Sequence, residues 1–530
     1  MSAAASITEP EAFQEKRKEE TSRWTSGRAI VLYIAFAKLI VHLLTAPRYG
    51  FHVDELYFLG CSEHLDWGYI DQPPLIVLIT FIARHTLGES LLALRFTPAL
   101  AGALLVWVTG CITREIGGAR FAQALSAIAV LVSPAYLFVH HLLTMNAFDP
   151  ALWAGCVYFA VRSIRRNAPV NWLWAGAIAG LGLENKYTIA MLLFGLVVGL
   201  IFTSARKSLA AWQFWAGGAF AMLVFAPNLI WEIVHHFPFL EWQRFIRAHP
   251  GVQTFNFSVH DFLLNQFLLT LPVFALWIVG LWFFLVSARG RRFRFLGFAI
   301  LVILGISLRS GKPYYAMPIY AIAFTGGAIA VEGFTNGQSW RWLRAIFVIG
   351  IVAVGTILAP CFLPILPVER FVPYERSLHL PLPIRSEFYE SQSEFPGYLA
   401  WELGGWDQIV AAVAQVYNAL PKEEKSKAGI LAQFYGEAGA IDLLGKKYGL
   451  PKAICGQLAY HDFGPRNYTG EVMIIIGYSP AALAPACRSV QLGATLENRY
   501  GYDSQRGPII NVCRGSRIDF QRNWAVFKHY

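Results

Sequence analysis

A few ionisable residues sit beside long apolar segments. Asp54 and Glu55 follow the first such segment, and Asp71 precedes the pair Pro73–Pro74. Asp149 ends the stretch HHLLTMNAFD, Glu184 and Lys186 lie between two apolar runs, and Lys312, Tyr314 and Tyr315 lie between two later ones. Ionisable side chains at the ends of membrane-spanning segments are costly unless paired or solvated, so function is a fair default reading. Carboxylates can act as general base toward a hydroxyl or an amine. Lysines and tyrosines suit a phosphate or pyrophosphate head group. Together they suggest group transfer from a lipid phosphate carrier.

Each residue also has a plainer reading. An Asp–Glu pair at a membrane boundary can be solvated interface. Asp149 precedes Pro150 and can cap a helix. Lys186 can snorkel, and Tyr314 and Tyr315 can belong to an aromatic belt. The histidines at 140–141 and 235–236 read as interface residues. The set says more than its members, because all of them fall on one side of the expected membrane.

That side follows from composition and charge. Of the 530 residues 55% are hydrophobic and only 15% charged, with a net charge of +10. A soluble chain would be about 25% charged, so this is an integral membrane protein. Residues 362–530 hold 17 Lys/Arg against 16 Asp/Glu, so nearly the whole surplus lies in residues 1–361. There the basic clusters recur in alternate loops, the positive-inside pattern. The surplus therefore marks cytoplasmic loops, and no nucleic-acid partner is expected.

A spanning helix needs about 20 mostly apolar residues. Spans are predicted near 29–47, 91–112, 121–139, 148–163, 171–183, 188–204, 211–230, 262–286, 295–308, 315–332 and 343–361. Those eleven put a segment at 1–28 in the cytoplasm and a domain at 362–530 outside, with a transmembrane domain at 29–361 between them. The N-terminal segment does not resemble a cleaved signal peptide. Between the first two spans, Asp54–Leu65 has helical spacing. The segment after Pro73–Pro74 is too short to span and fits a helix lying along the membrane. The tail mixes helical stretches at 407–420 and 437–448 with the strand-like VMIIIGY at 472–478, which predicts a small α/β domain. A Cys487–Cys513 bridge is expected there. No internal repeat, zinc-finger spacing, P-loop or GxSxG elbow is present.

Several motifs also match a family. YGFHVDELYFLGCSEHLDWGYIDQPPLIVLI at 49–79 resembles the first outer loop of the GT-C glycosyltransferases of the family 39 group. That group includes bacterial lipid A aminoarabinose transferases and protein O-mannosyltransferases. LTMNAFDPALWAG at 143–155, GLGLENKYT at 180–188 and SGKPYYAMPIY at 310–320 resemble later motifs in the same order. QFYGEAGAIDLLGKKYGLP at 433–451 resembles the tail of some bacterial members, with no role implied.

The resemblance implies a GT-C fold of about eleven transmembrane helices plus juxtamembrane helices, with an α/β extracytoplasmic domain. It implies Asp54 as catalytic base, with Glu55 and Asp149 shaping the site, and Lys186, Lys312, Tyr314 and Tyr315 holding the donor phosphate. In some relatives an acidic residue before Pro-Pro binds a divalent metal with a loop histidine, which here would be Asp71 with His235 or His236. The expected activity is inverting transfer of a monosaccharide from a polyprenyl-phosphate donor. The acceptor would be lipid A or lipopolysaccharide, another glycan or a protein. The expected setting is the periplasmic face of a bacterial inner membrane, with the protein acting as a monomer. The alternative is a transporter or flippase of lipid-linked sugars, which predicts charges near the bilayer midplane and repeated halves.

Overall fold

The computed structural model describes residues 24–249, 258–379, 399, 401–501 and 507–530. Most of the segment predicted at 1–28, residues 1–23, lies outside them. So do residues 250–257, between the spans predicted at 211–230 and 262–286.

Residues 27–358 form a helical bundle, and every predicted span falls on helix. The principal helices are α1 (Gly27–Thr45), α2 (Val53–Cys61), α3 (Leu75–Thr86), α4 (Leu91–Ile116), α5 (Arg120–Val132), α6 (Met145–Arg166), α7 (Asn171–Asn185) and α8 (Ile189–Ile201). Then follow α9 (Trp212–Val234), α10 (Val259–Thr270), α11 (Phe274–Leu285), α12 (Arg294–Ser310), α13 (Met317–Phe334) and α14 (Leu343–Leu358). By length and composition, six helices among the described residues can cross a membrane, or up to eight if each bent pair is one span. The span predicted at 262–286 is such a pair, α10 and α11, bent by 105°. Helices such as α8 rise only about 20 Å at 1.5 Å per residue, less than a hydrocarbon core of about 30 Å. The molecule is a helical membrane protein with a small C-terminal sheet domain.

The bundle interior is apolar, with Trp153, Phe284 and Phe295 fully buried. Lys38, inside α1, turns inward and donates to the Tyr136 carbonyl at 2.8 Å. A buried lysine is tolerated there because its nitrogen bonds a carbonyl and avoids lipid.

The C-terminal domain is built on a five-stranded sheet of order β2-β1-β3-β5-β4. Its strands are β1 (Ala428–Ala432), β2 (Ala453–Cys455), β3 (Val472–Ile476), β4 (Cys487–Thr495) and β5 (Ile509–Ser516). The first three are parallel, and β5 runs antiparallel to both β3 and β4. β1 and β3 are buried throughout, as parallel strands covered on both faces should be. Helices α15 (Trp406–Ala419) and α16 (Tyr435–Leu444) supply cover, and the expected Cys487–Cys513 disulfide is present.

This domain packs directly onto α2. Val53, Leu56, Tyr57 and Phe58 share one apolar cluster with Trp406, Ala438, Ile441 and Tyr460. Two glycines of α16 permit the approach. A Cβ on Gly439 would meet the Leu56 carbonyl oxygen at 2.6 Å, and one on Gly436 would meet Val53 at 2.5 Å. Ion pairs surround the contact: Lys446 to Glu89 at 2.9 Å, and Lys452 to Glu63.

Candidate active site

Helix α2 carries the first acidic pair, and its two members part ways. Glu55 is fully buried. It accepts from the His52 amide at 2.8 Å and the Leu143 amide at 3.0 Å. Arg95 of α4 donates to both its oxygens, at 2.9 and 2.8 Å. Burial alone would raise the Glu55 carboxyl, but the guanidinium outweighs it and holds the group below the usual range. Arg95 also contacts Glu402 at 3.2 Å and His141 at 2.9 Å, both buried. Glu55 is thus an anchor that ties α2 to the bundle and the 140–144 loop. His140 and His141, read as interface residues from sequence, are buried instead.

Asp54 points the other way, with its side chain 36% exposed. Its Oδ1 accepts from the Tyr435 hydroxyl at 3.0 Å, a contact that bridges 381 residues. The Tyr435 ring lies 4.7 Å from that of Tyr57. Tyr57 in turn donates to Asp71 Oδ1 at 2.6 Å and accepts from the Ala459 amide at 3.2 Å. Two carboxylates, Asp54 and Asp71, therefore each carry a tyrosine hydroxyl. Removal from water pushes the Asp71 carboxyl up to about 7, against the Tyr57 bond, which favours its ionised form.

The second cluster forms where three turns of the bundle meet. Lys186 follows α7 with an extended backbone. Its Nζ lies 2.5 Å from Asn146 Oδ1 and 5.1 Å from the ring centres of both Tyr314 and Tyr315. Lys312 Nζ lies 5.5 Å from the Tyr315 ring. The turn bearing these tyrosines starts at Gly311, whose φ of +71° suits glycine. Asp149 stands behind the cluster. The helix begins at Met145, so Asp149 is no cap, contrary to the reading from Pro150. Its two oxygens accept from Trp153 Nε1 at 3.0 Å and Thr188 Oγ1 at 2.8 Å. Two lysines within reach of aromatic faces, the nearer bonded to a neutral amide, form a cationic setting for a phosphate.

The residues expected to share a metal have other contacts or face outward. Asp71 bonds Tyr57, while His235 is exposed, stacks on Trp231 at 4.2 Å and contacts its carbonyl through Nδ1 at 2.8 Å. His236 is exposed at the end of α9 with φ +62°. Among the described residues no three His, Cys, Asp or Glu side chains are grouped to hold a metal ion.

Sequence reading missed Tyr57, Tyr435, Asn146, Thr188 and Arg95. Tyr57 stands three residues after Asp54, on the same side of a helix, and Asn146 and Thr188 lie inside motifs already noted. No local signal connects Arg95 or Tyr435 to their partners.

Known proteins share this fold. Residues 71–231 match the family described as dolichyl-phosphate-mannose-protein mannosyltransferase. The lipopolysaccharide core galacturonosyltransferase RgtB of Rhizobium johnstonii is 24% identical over 214 residues, 40% of this chain and 43% of RgtB. The match thus spans less than half of that curated relative. ArnT from Cupriavidus metallidurans, in its apo state, superposes with a TM-score of 0.57 at 16% identity, over 91% of this chain and 97% of ArnT. Its undecaprenyl phosphate-bound structure superposes equally. The Archaeoglobus fulgidus oligosaccharyltransferase gives 0.50 at 13% identity, over 78% of this chain and 63% of its own. The solved structures establish the fold, and with the family match they show that the chain resembles the GT-C membrane glycosyltransferases of the ArnT and protein mannosyltransferase kind.

Proposed function

We propose that this protein transfers a monosaccharide from a polyprenyl-phosphate carrier to lipid A or lipopolysaccharide at the periplasmic face of a bacterial inner membrane. The observation that carries the reading is the Lys186 ammonium held between Asn146 and two tyrosine faces, with Lys312 beside it. A leaving phosphate gains charge as its bond to sugar breaks, and fixed cations stabilise that charge most where water is scarce. The undecaprenyl phosphate in the similarly folded ArnT and the lipopolysaccharide substrate in RgtB's name support the donor and acceptor classes.

In this reading the acceptor hydroxyl attacks the anomeric carbon and its proton passes to Asp54. The bond between sugar and phosphate breaks with inversion, and polyprenyl phosphate leaves against Lys186 and Lys312. Tyr314 and Tyr315 wall that end, and Asp149 fixes the turn through Thr188. Glu55 acts by holding α2, not by touching substrate. All these groups come from one chain, which supports action as a monomer. The charges gather at one end of the bundle, which favours the transferase over a transporter of lipid-linked sugars.

The test is mass spectrometry of lipopolysaccharide and membrane glycolipids from cells with and without the gene. A sugar residue missing from the deletion strain and restored by the gene is expected. Identical glycan profiles would overturn the reading.

A further inference from the structure

We infer that the C-terminal domain is part of the catalytic centre, and that its Tyr435 is a positioning residue for Asp54. This rests on the reading of Asp54 as the base.

The hydroxyl of Tyr435 is bonded to one oxygen of Asp54, Oδ1, at 3.0 Å. Other groups face the carboxylate without bonding it. His52 Nδ1 lies 3.9 Å from Oδ2, but that nitrogen accepts from the Asp54 amide at 3.2 Å and has no proton to give. Asp71 acts on it only through charge, and Tyr57 donates to Asp71 instead. Tyr435 therefore fixes one oxygen and leaves the other to receive a proton.

Tyr435 is itself built to stay in place. It is buried, with 8% of its surface exposed. Its ring packs on Tyr57 at 4.7 Å and on Phe434 at 4.5 Å, and its amide donates to Gln457 Oε1 at 3.1 Å. Glu437 accepts from the Gln433 and Phe434 amides at 3.1 and 3.3 Å, which holds the turn ahead of it. The docking of α16 on α2 through Gly436 and Gly439 sets the distance to Asp54. A merely structural tie would not need a hydroxyl on the more exposed carboxylate, because Glu55 and Arg95 already anchor α2.

The test uses the purified full chain with three variants: Asp54→Asn, Tyr435→Phe and Gln457→Leu. The donor is the polyprenyl-linked lipid extract of native membranes, and the acceptor is lipopolysaccharide from the deletion strain. Tyr435→Phe keeps the ring and removes only the bond. It should lower kcat about tenfold and leave the donor KM unchanged, the size expected for losing one hydrogen bond to a charged group. Gln457→Leu loosens Tyr435 without touching Asp54 and should lower kcat by less, again with the donor KM unchanged, so it decides the matter if Tyr435→Phe fails to accumulate. A native kcat in these variants, with Asp54→Asn inactive, would overturn the inference and leave the proposed function standing. Full turnover in Asp54→Asn would overturn both.

Discussion

The two ends of the site use tyrosine in opposite ways. Around Asp54, tyrosine hydroxyls donate to carboxylates. Around Lys186, tyrosine faces meet an ammonium. The first end is made by α2 and the C-terminal domain, across 381 residues of sequence. The second is made by turns of the bundle alone. The contrast teaches that one residue type can serve a proton acceptor through its edge and an anion site through its face, and that the two ends can be damaged separately.

The largest separable effect is expected at the phosphate end. Lys186→Ala should lower kcat/KM for the donor about 10- to 100-fold, the range for losing an interaction with a charged group, and leave the acceptor KM unchanged. Initial rates with each substrate varied in turn provide the check. Equal losses for both substrates would break the division between the ends.

A smaller effect separates the ends by pH. Burial pushes the Asp71 and Glu437 carboxyls up to about 7, both on the Asp54 side. In the unfolded chain they titrate near 4, so the native state binds more protons between those values. Their contribution is fully present below about pH 4 and is lost as pH rises through about 7. His64, which is exposed, and the buried His141 are pushed down, so they lower stability as pH falls toward about 6.5, in the opposite sense to the carboxyls. The Tm of the native chain, followed by tryptophan fluorescence in detergent, should therefore fall by about 2–5 °C between pH 6.5 and 8 relative to that of the double variant Asp71→Asn, Glu437→Gln, which keeps the histidines. A difference between the two chains that does not change with pH would contradict it.

The phosphate end was the more legible in the sequence. Lys186, Lys312, Tyr314 and Tyr315 sit in short turns between apolar segments, so the alternation of spans places them together. The Asp54 end was legible only in part. Asp54 and Glu55 are adjacent and chemically alike, yet α2 turns one to the site and the other to Arg95, a choice set by a partner 40 residues away. The link from His141 to Glu402 spans 261 residues, and no periodicity encodes it. The C-terminal sheet and the Cys487–Cys513 bridge were readable as strands and cysteines. The docking of α16 on α2 was not, because it depends on glycines whose role shows only against Leu56 and Val53.

The central claim is that Asp54 takes the acceptor proton. Asp54→Asn keeps the size of the side chain and removes its charge, while Glu55 and Arg95 still hold α2. Expressed in the deletion strain at native abundance in the membrane, this variant is predicted to leave lipopolysaccharide without the transferred sugar by mass spectrometry. Restoration of that sugar to the level given by the native chain would contradict the account.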